Sequence, residues 1–303
     1  MVKTNQKLGI IITLFAGILW GFSGTCGQYI FENFHSDPGR LTAARLLISG
    51  LMLIIVGFVK TPEAMRNIWK KKTSVCTLIL FAIIGLMFCQ LAYMEAIAYT
   101  NSSTATIIQY IGPVLIMIVS CFLSKRLPSK TEVFAIIMAV LGTYLIATHG
   151  NIHTMVITPK GLAWGIISAF ALMFYNMLPV KLIQEHGSIA VTGYGMLIGG
   201  VVLAIVTKLW KANVVWSKEF FLSFASIILL GTVIAFSMYL LGVSICGAVK
   251  GSMLASIEPV AATVFMVLWL KVPIHPIDIA GFLCIFVTIF LLTKKDPGEK
   301  LQN

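Results

Sequence analysis

Gly17-Ile18-Leu19-Trp20-Gly21 and Gly161-Leu162-Ala163-Trp164-Gly165 carry the same glycine and tryptophan frame at an offset of 144 residues. Two further coincidences share almost the same offset. Ile111-Gly112-Pro113 matches Ile257-Glu258-Pro259 at 146, and Tyr93 matches Tyr239 at 146. Three matches at nearly one spacing read as an internal duplication, in which the chain is written twice and joined near residues 149–160.

The material around these phrases is apolar. The chain has 303 residues, 58% of them hydrophobic and 11% charged, with a mean hydropathy of +0.96. Average soluble domains carry about 25% charged residues, and a water-soluble chain of this size could not hide so much apolar surface. Lipid is therefore the solvent. A soluble enzyme, a disordered chain and a disulfide scaffold are excluded. The net charge of +11 would suggest nucleic acid only if it formed a stripe. It sits instead in short connectors, as expected beside anionic headgroups.

About 20 mainly apolar residues cross a bilayer. Ten segments qualify, at 8–31, 39–59, 74–98, 102–123, 132–148, 161–182, 188–208, 219–243, 248–270 and 276–293. Strand alternation is absent, so the fold class is all-α integral membrane rather than a barrel. The first apolar run is too long for a cleaved signal core and is read as an anchor. The connector 60–73 has room for a surface helix whose Met65, Ile68 and Trp69 would face lipid. With the N-terminus in the cytoplasm, that side collects Lys60, Arg66, Lys70, Lys71, Lys72, Lys125, Arg126 and Lys130 from the first half. The other side holds Arg40, Lys160, Lys208, Lys211, Lys218 and Lys271. This bias places both termini inside, although the second half contributes little to it.

Duplication and helix count combine. Five helices per half is an odd number, so the second half enters the membrane from the opposite side. The expected organisation is a first repeat over 1–148, a connecting loop over 149–160, a second repeat over 161–293 and a tail over 294–303. Such inverted repeats suit alternating access, with sites near the midplane between the halves.

Pro113 and Pro259 fall near mid-span. Each removes a backbone hydrogen bond and kinks its helix, and the freed carbonyl is tolerable only beside protein or water. Both kinks should face the interior and serve as hinges. Helical spacing adds polar and aromatic stripes. Thr106, Gln109 and Pro113 share a face, as do Ser252, Ser256, Pro259 and Thr263. Trp20 lies with Gly24 and Gly27, Trp164 with Ser168, Ala171 and Tyr175, Gln90 with Tyr93, and Phe236 with Tyr239. The substrate cavity expected from these stripes is lined by Trp20, Gln90, Tyr93, Thr106, Gln109, Trp164, Tyr175, Tyr239 and Ser256. Small and hydroxyl residues also make tight helix contacts, and Gly17/Gly21 and Gly161/Gly165 are GxxxG pairs.

Charges at depth are costly and mark function by default. Glu258 is placed as a candidate coupling group, with a structural role bonding local backbone as the alternative, because it points away from the Ser252–Thr263 face. Arg45 and Glu95 lie at similar depth and are expected to pair, with an outer gate as the alternative. No P-loop, HExxH or GxSxG is present, and His149/His153 lack further ligands for zinc. No cofactor, metal or enzymatic activity is expected.

The pattern resembles the drug/metabolite transporter superfamily, in its ten-helix EamA type. The residues that carry the resemblance are Trp20-Gly21, Trp164-Gly165, Arg45 within Leu41–Leu47, the stretch from Ala96 to Pro113, Lys125-Arg126, and Ser256–Val260. The family commonly has Gly-Glu-Arg where this chain has Ser124-Lys125-Arg126. The resemblance implies two inverted five-helix repeats and cytoplasmic termini in a bacterial inner membrane. It also implies a cavity between helices 1, 3, 4, 6, 8 and 9, and export of amino acids, other metabolites or amphipathic compounds. The reading that follows is a secondary exporter of small polar or amphipathic molecules, with protons as a candidate coupling ion and no nucleic-acid partner. A passive facilitator of the same fold and a non-transporting assembly or sensor protein are the alternatives.

Overall fold

The computed structural model describes residues 6–34, 36–100, 102–155, 158–212, 217–271 and 274–293. The tail expected at 294–303 lies outside them. The described residues form ten long helices: α1 (Gln6–Phe34), α2 (Pro38–Lys60), α3 (72–99), α4 (102–123), α5 (Lys130–Thr148), α6 (Pro159–His186), α7 (Ser188–Thr207), α8 (Lys218–Cys246), α9 (Ala248–Trp269) and α10 (Pro276–Thr293). Nine are long and apolar enough to cross a bilayer, and the apolar part of α10, Pro276–Leu292, is slightly shorter. The protein is an all-α integral membrane protein of two inverted five-helix repeats.

Local chemistry sets the helix starts. Asp37 caps α2 through the Arg40 amide, with Pro38 supplying a preset first turn. Ser129 and Glu132 form a capping box on α5. Thr158 caps α6 through Gly161, again with a leading proline. These caps lie at span ends, where orphan amides need partners.

Packing follows the duplication and swaps the halves. α1 lies against α8 and α9 of the second repeat, while α6 lies against α3 and α4 of the first. The second helices of each repeat, α2 and α7, pack together, as do the fifth, α5 and α10. A two-fold that exchanges the repeats maps each of these pairs onto another or onto itself. The glycine phrase explains the closeness. A Cβ on Gly21 would stand 2.6 Å from the Ala262 nitrogen and 2.8 Å from the Glu258 carbonyl. A Cβ on Gly165 would meet Ile108 at 2.6 Å. Each first helix thus seats its small-residue face on the fourth helix of the other repeat.

The proline helices break where the sequence places their kinks. α4 parts at Tyr110 (φ −67°, ψ −2°) and α9 at Ser256 (φ −61°, ψ −7°), each three residues before its proline. The two breaks are 146 residues apart and share one conformation. A second matched irregularity accompanies them: π-helical turns at Phe81–Met87 in α3 and Leu229–Ile234 in α8. Gly85 brings the first against the Tyr175 backbone of α6, and Gly231 brings the second against Ser23 of α1.

Two boundary expectations change. α6 does not stop at 182 but continues past Pro179 to His186. The connector helix Pro62–Asn67 does not turn Met65 and Ile68 to lipid. Both are fully buried against protein, with Met65 seated on Gly57, and only Trp69 stays half-exposed.

Candidate functional site

The interior of the bundle, between α1, α3, α4, α6 and α8, gathers most of the residues named from sequence. Trp20 packs on the second repeat, tilted against the Tyr239 ring at 4.6 Å and edge-on to Phe236 at 5.0 Å. Tyr175 extends this cluster, lying parallel to Tyr239 at 6.0 Å and against Phe81 at 5.9 Å. The Trp20–Tyr239 and Phe81–Tyr175 contacts each bridge the two repeats.

Polar links thread the same region. Gln109 on α4 donates to Ser168 Oγ on α6 at 2.6 Å, joining the repeats beside the Tyr110 break. Tyr93 and Thr106 share a hydroxyl bond of 2.7 Å between α3 and α4. Tyr239 donates to Asn176 Oδ1 at 2.6 Å, and Asn176 in turn donates to the Leu172 carbonyl. Asn176, wholly buried, is not among the residues expected from sequence. Its signal is an amide in mid-span, which needs partners, one position beyond the Trp164–Tyr175 stripe.

The buried groups without a hydrogen-bond partner among the described residues include Trp20 Nε1, Tyr175 OH and Arg45 Nε. Buried polar groups are rarely left this way, and those that are need an explanation. Trp20 and Tyr175 sit in the one aromatic cluster.

Other expectations resolve differently. Arg45 does not pair with Glu95. Its Nη2 donates to Gln90 Oε1 at 2.9 Å, and Glu95 makes no ion pair among the described residues. Gln90 therefore fixes Arg45 rather than presenting a free face with Tyr93. Ser256 is fully buried and spends its hydroxyl on the Met253 carbonyl. Thr263 does likewise on Pro259. Both hydroxyls satisfy kinked backbone rather than open space. Trp164 is half-buried and lies outside the aromatic cluster that holds its repeat mate. Glu258 is half-buried on α9 and makes no ion pair among the described residues. Pro113 is buried and Pro259 half-buried.

The two ends of the bundle differ. Between the start of α3, the end of α6 and the start of α9 lies a cavity of about 560 Å³, with Lys71, Ser74, Thr77, Met177 and Lys181 in its wall. The two-fold maps this region onto the start of α8 and the end of α1. There Phe34 packs on Phe220 at 5.4 Å, over a buried cluster of Cys26, Ile30, Phe224 and Ile227. Tyr29 stacks on Trp269 at 5.5 Å beside it. A cavity thus lies between the repeats at one end, and at its counterpart, among the described residues, aromatic rings are packed together.

The sequence profile of the EamA-like transporter family matches residues 7–148 and again 159–294. The chain belongs to the EamA-like transporter family. A relative from Salmonella typhimurium, described as the uncharacterized inner membrane transporter YicL, is 32% identical over 289 residues, covering 95% of this chain and 96% of its own. The uncharacterized transporter YyaM of Bacillus subtilis is 23% identical, over 94% of this chain and 93% of its own. One solved crystal structure superposes with a TM-score of 0.81 at 18% identity, covering 95% of this chain and 97% of that one. That likeness concerns the fold. EamA membership makes the protein a membrane transporter and not an enzyme.

Proposed function

We propose that this EamA-type protein is a secondary transporter that moves small polar or amphipathic metabolites outward by alternating access, with both termini in the cytoplasm of a bacterial cell. The observation that carries the reading is the inequality of the two ends. Repeats that swap their packing partners should look alike at pseudo-equivalent positions, yet a cavity lies at one end while at the other Phe34 is packed on Phe220. Exchange of the two conformations between the repeats would open the sealed end and close the open one. The matched breaks at Tyr110 and Ser256, with Pro113 and Pro259 behind them, are where α4 and α9 would bend.

The unpartnered donors Trp20 Nε1 and Tyr175 OH are the groups assigned to the cargo, with Tyr239 and Asn176 holding the aromatic wall in place. Gln109 and Tyr93 border the same region. Glu258 is assigned to proton coupling, since it is a carboxyl within α9 without an ion-pair partner among the described residues. Counterflow of radiolabelled amino acids and amines in proteoliposomes tests the reading, after a thermal-shift screen has chosen the compounds. Accelerated exchange that Trp20→Phe and Tyr175→Phe slow at least ten-fold would support it. If no stabilising compound exchanges, the transport assignment fails. Glu258→Gln that leaves exchange undiminished and still pH-dependent would remove Glu258 from the coupling role alone.

A further inference from the structure

The open end carries a chemistry that the transport reading does not use. Lys71 and Lys181 both line the cavity, one from the first repeat and one from the second. Between them α3 begins. Lys71 takes an extended conformation (φ −103°, ψ 123°) and no side chain caps the helix, so the first-turn amides at Thr73 and Ser74 have no helical acceptor. A long helix presents partial positive charge at that end. Thr73, Ser74 and Thr77 line the same wall, with the Ser74 hydroxyl bonded to His186 Nε2 at 3.4 Å. Beneath them the floor is apolar, built by Met177, Leu178 and Ala248.

Glu185 is the opposing charge on the rim. It pairs with Lys71 at 3.6 Å, with both side chains more than half exposed, and such exposed pairs hold little free energy. Lys181 makes no ion pair among the described residues. The flank is basic as well, with Arg66, Lys70 and Lys72 beside Trp69. The Trp69 ring is 45% exposed and packs edge-on to Tyr194 at 5.0 Å. An exposed tryptophan beside a run of lysines marks the headgroup level of a bilayer.

We propose that this mouth binds the phosphate headgroup of an anionic membrane lipid, held between Lys71 and the start of α3 on one side and Lys181 on the other. Two cations and a free helix start suit a phosphodiester. The apolar floor suits the glycerol and upper acyl carbons, which a free inorganic anion would leave unused. Because the two lysines belong to opposite repeats, the bound phosphate bridges them across the open mouth. Anionic lipid would thereby favour the conformation that is open at this end.

The site stands independently of the transport reading, because lipid retention is measured without any cargo. The full chain, purified in dodecyl maltoside, is titrated with phosphatidylglycerol, phosphatidylcholine or inorganic phosphate and followed by native mass spectrometry and thermal unfolding. Phosphatidylglycerol is expected to be retained and to raise the unfolding midpoint. The exposed-site double variant Lys71→Gln/Lys181→Gln should bind it at least ten-fold more weakly, at about five-fold per lysine. Lys208→Gln/Lys218→Gln, at the opposite end, should bind like the parent. Equal retention of phosphatidylglycerol by the Lys71/Lys181 variant would overturn the proposal. Equal retention of phosphatidylcholine, or equal stabilisation by inorganic phosphate, would overturn it too.

Discussion

Glycines 21 and 24 lie one turn apart on α1 and should respond oppositely to a single methyl group. A Cβ on Gly21 would fall 2.6 Å from the Ala262 nitrogen, 2.7 Å from the Ala261 Cβ and 2.8 Å from the Glu258 carbonyl. Ordinary contact begins near 3.4 Å, so the shortfall is 0.8 Å at its worst. The obstructing atoms include backbone of α9 and cannot rotate away. Gly21→Ala must push α1 off α9 next to the Ser256 break. Overpacking of this kind costs about 1–3 kcal/mol, and the better helix propensity of alanine returns roughly 1 kcal/mol. Because backbone is in the way, the cost falls at the upper end of that range, and the net is a loss of about 2 kcal/mol. At about 2–4 °C per kcal/mol for a chain of somewhat smaller size, the apparent midpoint should fall by about 4–8 °C. A methyl group on Gly24 would meet nothing within 4 Å. Gly24→Ala should therefore be neutral or raise the midpoint. Tryptophan fluorescence during a thermal ramp in detergent, at one fixed scan rate because membrane proteins often unfold irreversibly, reads both. If Gly21→Ala unfolds with the parent, or Gly24→Ala falls as far as Gly21→Ala, the repeat-swapped seat of α1 on α9 is wrong.

Asn176→Leu strands the Tyr239 hydroxyl and should cost about 1–3 kcal/mol. Adding Tyr239→Phe should recover part of that loss, read as a double-mutant cycle in thermal midpoints. Arg45→Met should lower the midpoint by removing the partner of Gln90, whereas Glu95→Gln should stay within about 0.5 kcal/mol of the parent; the reverse order would restore the Arg45–Glu95 pair. Phe34→Ala or Phe220→Ala should unseal the closed end. In a Cys76→Ser background, the labelling of Cys26 by a membrane-impermeant maleimide should then rise at least ten-fold, since Cys26 is only 1% exposed beneath that cluster. Pro113→Ala and Pro259→Ala should each raise the midpoint while slowing exchange, because a restored amide stiffens the bend; unchanged exchange in both would remove the hinge assignment.

Much of this architecture is legible in the amino-acid sequence. The helix count follows from hydropathy, because lipid demands that every backbone group be satisfied within its own span. The breaks in α4 and α9 follow from Pro113 and Pro259, because a missing amide has a fixed local consequence. The faces of Trp20, Tyr175 and Tyr239 follow from helical spacing. What spacing cannot supply is the identity of the neighbour. Arg45 and Glu95 share a depth, but Gln90 and Glu95 differ by five residues and point to different sides of α3. Only the placement of α2 decides which one Arg45 meets. Met65 and Ile68 make the same point. Their stripe is apolar whether it meets lipid or protein, and the two are nearly equivalent solvents for it. The π-helical turns left only the faint mark of Gly85 and Gly231, a glycine pair 146 residues apart within otherwise continuous apolar runs.

The duplication that decides the fold is also what makes a conformational state legible. A single cavity at one end of a bundle says little, because any helical packing leaves gaps. Here the two-fold supplies an internal reference. Trp20 is packed against Phe236 and Tyr239, while Trp164, its counterpart, stands outside that cluster. Ser74 and its counterpart Phe220 are both buried, at 5% and 3% exposed, but Ser74 borders the cavity while Phe220 packs on Phe34. Differences of composition explain part of this, since Ser74 and Phe220 are not alike. The same holds for Trp20 and Trp164, because the repeat mates of Phe236 and Tyr239 are Gln90 and Tyr93, which are engaged by Arg45 and Thr106. What composition leaves over is the arrangement of the two ends, a cavity at one and packed rings at the other, and a pair of repeats that can hold two conformations is what alternating access needs.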